Sequence, residues 1–152
     1  MNTVSSIGST TQAGREVGRA VTFGLNHVNL VVADVAESVR FYTHALGMTI
    51  VHVTKEITFL STPGADDLLA LQMWGGDLDR ASGKTRHPGD PGGVDHFGFA
   101  VADPDAVEAV IAAARSAGGA LLMRFTTPDG SPTAFVTDPD GYIVQLSIAP
   151  GR

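Results

Sequence analysis

Two stretches of this chain nearly repeat one another, HVNLVVAD at residues 27–34 and HFGFAVAD at residues 96–103. The offset is 69 positions, and His, Val, Ala and Asp coincide in register. Self-similarity of this kind indicates a structural repeat, because each copy of a supersecondary unit needs the same pattern of core-facing residues. We therefore expect two copies of one unit.

A helical pattern follows each copy of the repeat. After the first copy, Asp34 and Glu37 form a capping box, apolar residues recur at helical spacing, and Gly47 provides a stop. After the second copy, Pro104 stands at the first helical position and Gly118-Gly119 provides the stop. Each half is thus expected to contain one amphipathic helix.

The hydrophobic period changes to two beyond each helix, which predicts β-strands. The predicted strands are 48–53, 57–61 and 68–74 in the first half and 120–125, 133–137 and 142–148 in the second. Each half therefore has the pattern β-α-β-β-β. The predicted fold class is α+β, with two βαβββ modules forming a cupped mixed sheet and the helices on its outer face.

Length and composition favour one globular domain. The chain has 152 residues, of which 43% are apolar and 17% charged. We expect a flexible amino-terminal arm at 1–22 and a single domain at 23–152. Its modules span about 23–76 and 93–149, and the linker is 77–92, the longest run without periodicity.

Charge and cysteine content exclude several classes of function. The formal net charge is −6, so nucleic acid is not expected as a partner. No cysteine is present, which leaves His, Asp, Glu, Gln or Asn as metal ligands. No signal peptide or membrane span is apparent, so we expect a soluble cytoplasmic protein that does not associate with membranes.

Strand alternation predicts a polar cup on the side away from the helices. The first strand of each half places a histidine on this face, His27 and His96, and the last strand places a glutamine there, Gln72 and Gln145. Imidazole is a good ligand for Zn, Fe, Ni and Co, and an amide oxygen is a weaker, neutral one. The other histidines, at positions 44, 52 and 87, are interpreted as structural or surface residues.

The sequence resembles the vicinal oxygen chelate superfamily over about residues 23–149. This group includes glyoxalase I, methylmalonyl-CoA epimerase, extradiol dioxygenases, fosfomycin-resistance enzymes and bleomycin-resistance proteins. The motifs that carry the resemblance are NHVNLVV at 26–32, SVRFY at 38–42, LGM at 46–48, VDHFGF at 94–99 and DPDGYIVQL at 138–146.

The resemblance implies a divalent metal ion (Ni, Co, Zn, Fe or Mn) held by His27, Gln72, His96 and Gln145. It also implies a small-molecule substrate that presents two neighbouring oxygens to the metal, and a homodimer. Metal-dependent members usually carry Glu where this chain has Gln145. The change removes an anionic ligand and a group that can serve as general base.

Three functions follow from this combination of fold and residues. The first is a glyoxalase-like metal-dependent lyase or isomerase, with Glu56 as the candidate base and Asn29 and Trp74 shaping the substrate pocket. The second is an extradiol-type Fe(II) dioxygenase, although Gln145 replaces the carboxylate of its usual triad. The third is a metal-free protein that binds a small molecule or antibiotic in the cup.

Overall fold

The computed structural model of this protein describes residues 26–82, 91, 94 and 96–148. The predicted arm at 1–22 and most of the predicted linker lie outside these residues. Within the described ranges no helix is long and apolar enough to span a bilayer.

The described residues follow the predicted element order in both halves. The first module consists of β1 (Val28–Val32), α1 (Val35–Leu46), β2 (Thr49–Val53), β3 (Ile57–Ser61) and β4 (Leu69–Met73). A short helix, α2 (Asp77–Ser82), comes next. The second module consists of β5 (Phe97–Val101), α3 (Pro104–Ser116), β6 (Ala120–Thr126), β7 (Pro132–Thr137) and β8 (Ile143–Ile148).

Each module forms its own four-stranded mixed sheet. The strand orders are β1-β4-β3-β2 and β5-β8-β7-β6, and in both sheets the first pair is parallel and the others antiparallel. The edge strands β2 and β6 even carry a register shift at matching places, between Ile50 and His52 and between Leu121 and Met123. The predicted α+β fold of two βαβββ modules is confirmed.

The helix ends follow the predicted caps. The Asp34 carboxylate accepts a hydrogen bond from the Glu37 backbone N–H, and Gly47 ends α1 with a φ of 68°. At α3 the Asp103 carboxylate accepts from the Ala106 N–H at 2.8 Å. These caps satisfy backbone groups that a helix cannot satisfy internally, so both helix starts are encoded locally.

The helix α2 lies inside the predicted linker and was not expected. Six residues are too few for a stable helix in water, so contacts outside the helix must support it. Asp77 pairs with Arg80 one turn later, and the Asp77 N–H donates to Glu56 Oε1 at 3.1 Å. The second contact comes from another part of the chain, which is why periodicity did not reveal this helix.

The helix-facing sides of the strands form the core, as alternation predicted. Leu30, Val32, Leu71, Val144 and Leu146 each expose 2% or less of their surface. Met73 was assigned to the same face but is 37% exposed at the end of β4.

A buried carboxylate joins the two modules. Asp138, in the turn between β7 and β8, accepts a hydrogen bond from the Tyr42 hydroxyl of α1 at 2.8 Å. Its other oxygen accepts from the N–H groups of Asp140 and Tyr142, at 2.9 and 2.8 Å. The Asp-Pro-Asp-Gly turn was predicted only as a turn. The structure adds that it links the second module to the first.

Asp140 extends this joint to the end of β1. Its carboxylate accepts from the Ala33 N–H at 2.9 Å and from the Ser38 hydroxyl at 3.2 Å.

The helix α1 also packs closely against the residues that follow α3. A Cβ at Gly119 would lie 2.6 Å from the Phe41 ring, so only glycine fits there.

Candidate functional site

The first half-site begins with His27, which is exposed just before β1. Its Nδ1 lies 2.8 Å from Asn26 Oδ1. An amide oxygen only accepts hydrogen bonds, so Nδ1 carries the ring proton in this contact. The lone pair is then on Nε2, and an outer hydrogen bond of this kind commonly orients a metal-binding histidine.

Gln72 and Asn29 share the face of the first sheet away from the helices. Asn29 Nδ2 donates to Gln72 Oε1 at 2.7 Å, and Gln72 is only 6% exposed. The bond orients the amide oxygen that was predicted to bind metal and leaves it a second lone pair. Asn29, predicted to contact substrate, therefore contacts a predicted ligand.

The second half-site combines His96 with an aromatic surface. The His96 ring lies edge-on to Phe135, with centroids 5.2 Å apart, and Phe135 pairs in register with Gln145. Phe125 stacks on Phe135 at 5.8 Å and is 40% exposed. His96 and Gln145 thus border an apolar patch. This patch was not predicted, because alternation was applied only to the first and last strands of each module, and Phe125 and Phe135 lie on the two middle ones.

His52 also belongs to the polar face of the first sheet. Its ring lies 5.8 Å from Phe59, which is opposite Ala70 in the sheet and therefore on the same side as Gln72. The interpretation of His52 as a structural or surface residue did not anticipate this position. The signal was the same period of two, applied to β2 and β3.

Tyr142 links the start of β8 to β1 of the other module. Its hydroxyl donates to the Val31 carbonyl at 3.0 Å. Residues 26–28, at the start of β1, share a cavity with residues 97–100 of β5. Both contacts lie between the two modules of one chain.

Each module contributes one predicted imidazole ligand. His27 precedes β1 of the first module, and His96 precedes β5 of the second. Each module therefore carries one His–Gln pair. Among the described residues, no three His, Asp or Glu side chains cluster as a metal site.

Two further predicted site residues lie near the end of β4. Glu56 is half-buried, and its Oε1 accepts the Asp77 N–H, so the carboxylate supports the start of α2. The Trp74 side chain is exposed, at 70% for the residue, and the backbone N–H of Trp74 donates to the Val32 carbonyl at 3.1 Å. The indole is open to solvent, whereas the carboxylate has a structural contact. A catalytic role for Glu56 remains a prediction.

Among the described residues, two groups at the module joint have clearly shifted pKa values. Burial raises the pKa of Asp138, while hydrogen bonds from Tyr42, Tyr142 and Asp140 oppose this shift. Burial and the neighbouring Asp138 charge raise the pKa of Tyr42 well above its ordinary value. Both groups hold the modules together.

Comparison with known proteins agrees with this architecture. Residues 24–146 match the model of the Glyoxalase/Bleomycin resistance protein/Dioxygenase superfamily. The chain belongs to this superfamily. Its members bind small molecules and commonly form dimers, and the glyoxalases among them generally use divalent metals.

Individual relatives include enzymes and structurally defined proteins. The chain is 30% identical over 129 residues to a "Probable lactoylglutathione lyase" of Vibrio parahaemolyticus, covering 79% of this chain and 86% of the relative. It is 25% identical to a glyoxalase-related enzyme from Fulvimarina pelagi, with a TM-score of 0.64 over 85% of this chain and 90% of the other. A lactoylglutathione lyase from Agrobacterium tumefaciens shares the fold at 17% identity and a TM-score of 0.63, over 86% and 96% of the two chains.

Proposed function

We propose that this protein is a cytoplasmic, metal-dependent lyase or isomerase of the glyoxalase type. The observation that carries the proposal is the duplicated His–Gln pair, which occurs at equivalent strand positions in both modules. The Vibrio relative's name makes lactoylglutathione lyase activity the first activity to assay.

The donor set fits a divalent metal ion. Imidazole nitrogens from His27 and His96 suit Ni, Co, Zn and Fe, and the amide oxygens of Gln72 and Gln145 are weaker neutral ligands. Asn26 orients His27 and Asn29 orients Gln72 through their hydrogen bonds. When bound, the metal would supply Lewis-acid stabilisation of developing negative charge on the substrate's oxygens.

We further propose that the complete metal site lies between two copies of the chain. His27 and Gln72 of one copy would face His96 and Gln145 of the other. The organisation of the chain supports this arrangement, because each module carries one His–Gln pair and, among the described residues, no three His, Asp or Glu side chains come together. In a two-fold dimer both sites then form together.

The remaining residues act on substrate rather than on metal. The exposed Trp74 indole and the Phe125–Phe135 surface would receive an apolar part of the substrate. Glu56 stays the candidate base. To act as a base, the Glu56 carboxylate would give up its hydrogen bond from the Asp77 N–H and then accept a proton from the substrate.

Metal titration tests the proposal directly. The parent should bind about one Ni(II), Co(II) or Zn(II) per chain. His27→Ala should lose at least about a hundredfold in metal affinity, because loss of a residue that merely hydrogen-bonds to a ligand already costs about 10–100-fold. His44→Ala, which removes an exposed imidazole on α1, is the matched control and should bind like the parent. Equal affinity in parent and His27→Ala would contradict the metal site.

Gln145→Glu should bind metal more tightly than the parent. The substitution adds one negative charge beside a divalent cation in a half-buried position, and the gain should be at least about tenfold, or 1.4 kcal/mol. Calorimetric titration and thermal melting of both proteins would measure it.

The opposite result would favour a metal-free binding protein. In that case the new carboxylate would be left without a partner, and Gln145→Glu would melt earlier and gain no metal affinity. The exposed aromatic surface beside Gln145 is the observation that supports this second function.

A further inference from the structure

The turn that follows β4 carries Trp74, the single tryptophan of the chain. Backbone hydrogen bonds attach this turn to β1 and to the start of β3. The Met73 N–H donates to the Glu56 carbonyl at 2.8 Å, and the Trp74 N–H donates to the Val32 carbonyl at 3.1 Å. Gly75 follows with a φ of 71°, a conformation that favours glycine. The backbone that carries the indole is therefore held in place.

The Glu56 carboxylate occupies space that only a glycine at position 76 leaves open. Its Oε1 accepts the Asp77 N–H at 3.1 Å. A Cβ at Gly76 would lie 2.6 Å from Oε2 and 2.9 Å from the carboxyl carbon, both shorter than a van der Waals contact. Gly76 is buried and does not have a positive φ. The constraint at this position therefore comes from the carboxylate, and a side chain there would displace it.

Arg80 holds the same turn from α2. Its guanidinium contacts the Gly75 carbonyl and the Asp77 carboxylate, and its backbone N–H donates to the Gly76 carbonyl at 3.1 Å. These partners are close together in sequence, whereas Glu56 precedes Asp77 by 21 residues. The Glu56 side chain therefore ties the turn and α2 to the first sheet.

We propose that Glu56 is a positioning residue, which acts through this turn to hold the Trp74 indole at the end of β4, two residues beyond Gln72. The consequence for recognition rests on the proposed function, in which the indole contacts the substrate. A surface group that is already held loses less conformational freedom when a ligand packs on it. The role requires a hydrogen-bond acceptor at position 56 and no proton transfer.

Fluorescence of Trp74 tests this role, because no other tryptophan contributes to the signal. Time-resolved anisotropy of the full-length protein separates fast motion of the indole from tumbling of the whole molecule. Glu56→Ala should increase the amplitude of the fast motion by about twofold or more. Glu56→Gln keeps an acceptor oxygen for the Asp77 N–H and should retain the parent's amplitude. Glu108→Ala, which removes an exposed carboxylate on α3, is the matched control and should also behave like the parent.

Gly76→Ala reaches the same contact from its other side. The added Cβ displaces the Glu56 carboxylate, so this variant should increase the fast motion of Trp74 as much as Glu56→Ala does. In the double variant Glu56→Ala/Gly76→Ala the two increases should not add, because the second substitution removes a contact that is already lost. Additive increases would overturn the assignment.

Substrate affinity connects the turn to recognition. In a lactoylglutathione lyase assay, Gly76→Ala should raise KM by about threefold or more, because the indole is no longer held for the substrate. The anisotropy measurements need neither metal nor substrate. A parent without this activity would therefore count against the proposed function and leave the positioning role to be decided by anisotropy. Unchanged anisotropy in Glu56→Ala, or equal increases in Glu56→Ala and Glu56→Gln, would overturn that role.

Discussion

Asp138→Ala is expected to lower the free energy of unfolding by about 3–5 kcal/mol, because three hydrogen-bond donors around a buried carboxylate lose their acceptor, at about 1–3 kcal/mol each. The Asp138 carboxylate is 2% exposed and accepts hydrogen bonds from Tyr42, Asp140 and Tyr142. Alanine would leave the Tyr42 hydroxyl buried without this acceptor. Urea unfolding of parent and variant measures the loss.

Conservative variants show which part of the loss belongs to the joint between modules. Asp138→Asn keeps an acceptor for the two backbone N–H groups and should lose less than Asp138→Ala. Tyr42→Phe removes only the hydroxyl that crosses from α1. If the Tyr42–Asp138 bond matters, the double variant Tyr42→Phe/Asp138→Asn should lose less than the sum of its parts. If the losses in free energy of unfolding simply add, the Tyr42–Asp138 hydrogen bond does not stabilise the contact between the modules.

The stability difference between parent and Asp138→Asn should also depend on pH. Burial raises the folded-state pKa of Asp138 above its ordinary value of 3.8. The folded protein therefore binds this proton more tightly than the unfolded chain, and the contribution of Asp138 is largest below about pH 4. It declines as the pH rises through the raised pKa. The difference in free energy of unfolding between the parent and Asp138→Asn should therefore shift in favour of the parent as the pH is lowered from neutrality towards 4.

Local signals explain why much of the fold could be predicted. The repeat beginning at His27 and His96, the caps at Asp34 and Asp103 and the alternation along the strands each involve residues close together in sequence. The structure has the repeat and both caps, and burial alternates along β3 and β5, whereas β4 is buried on both faces. The helix α2 escaped prediction because Glu56, its main outside contact, lies 21 residues before Asp77.

The candidate site was predictable only within each module. Alternation assigns Asn29 and Gln72 to one face, and the parallel register of β1 with β4 brings them into contact. The placement of one module against the other depends instead on contacts such as those of Tyr142 with Val31 and of Asp140 with Ala33. Those contacts have no periodic signature, so the relative placement of the two His–Gln pairs could not be read from sequence.

Mixing two variants that have each lost tight metal binding should restore part of it. In the proposed dimer, each site combines His27 of one copy with His96 of the other, so His27→Ala and His96→Ala alone should lose both sites. A mixed dimer of the two variants has one site with both substitutions and one with neither. If subunits exchange at random after unfolding and refolding together, about a quarter of the parent's tight metal sites should return.

A second mixture distinguishes this result from incomplete exchange. The double variant His27→Ala/His96→Ala refolded with an equal amount of parent has no intact site in any mixed dimer. Metal content should therefore fall to about a quarter of the sites if they form between chains, and only to about a half if each chain holds its own site. Elemental analysis after gel filtration measures both mixtures. No recovery in the first mixture and a half in the second would mean that His27 and His96 bind one ion within a single chain.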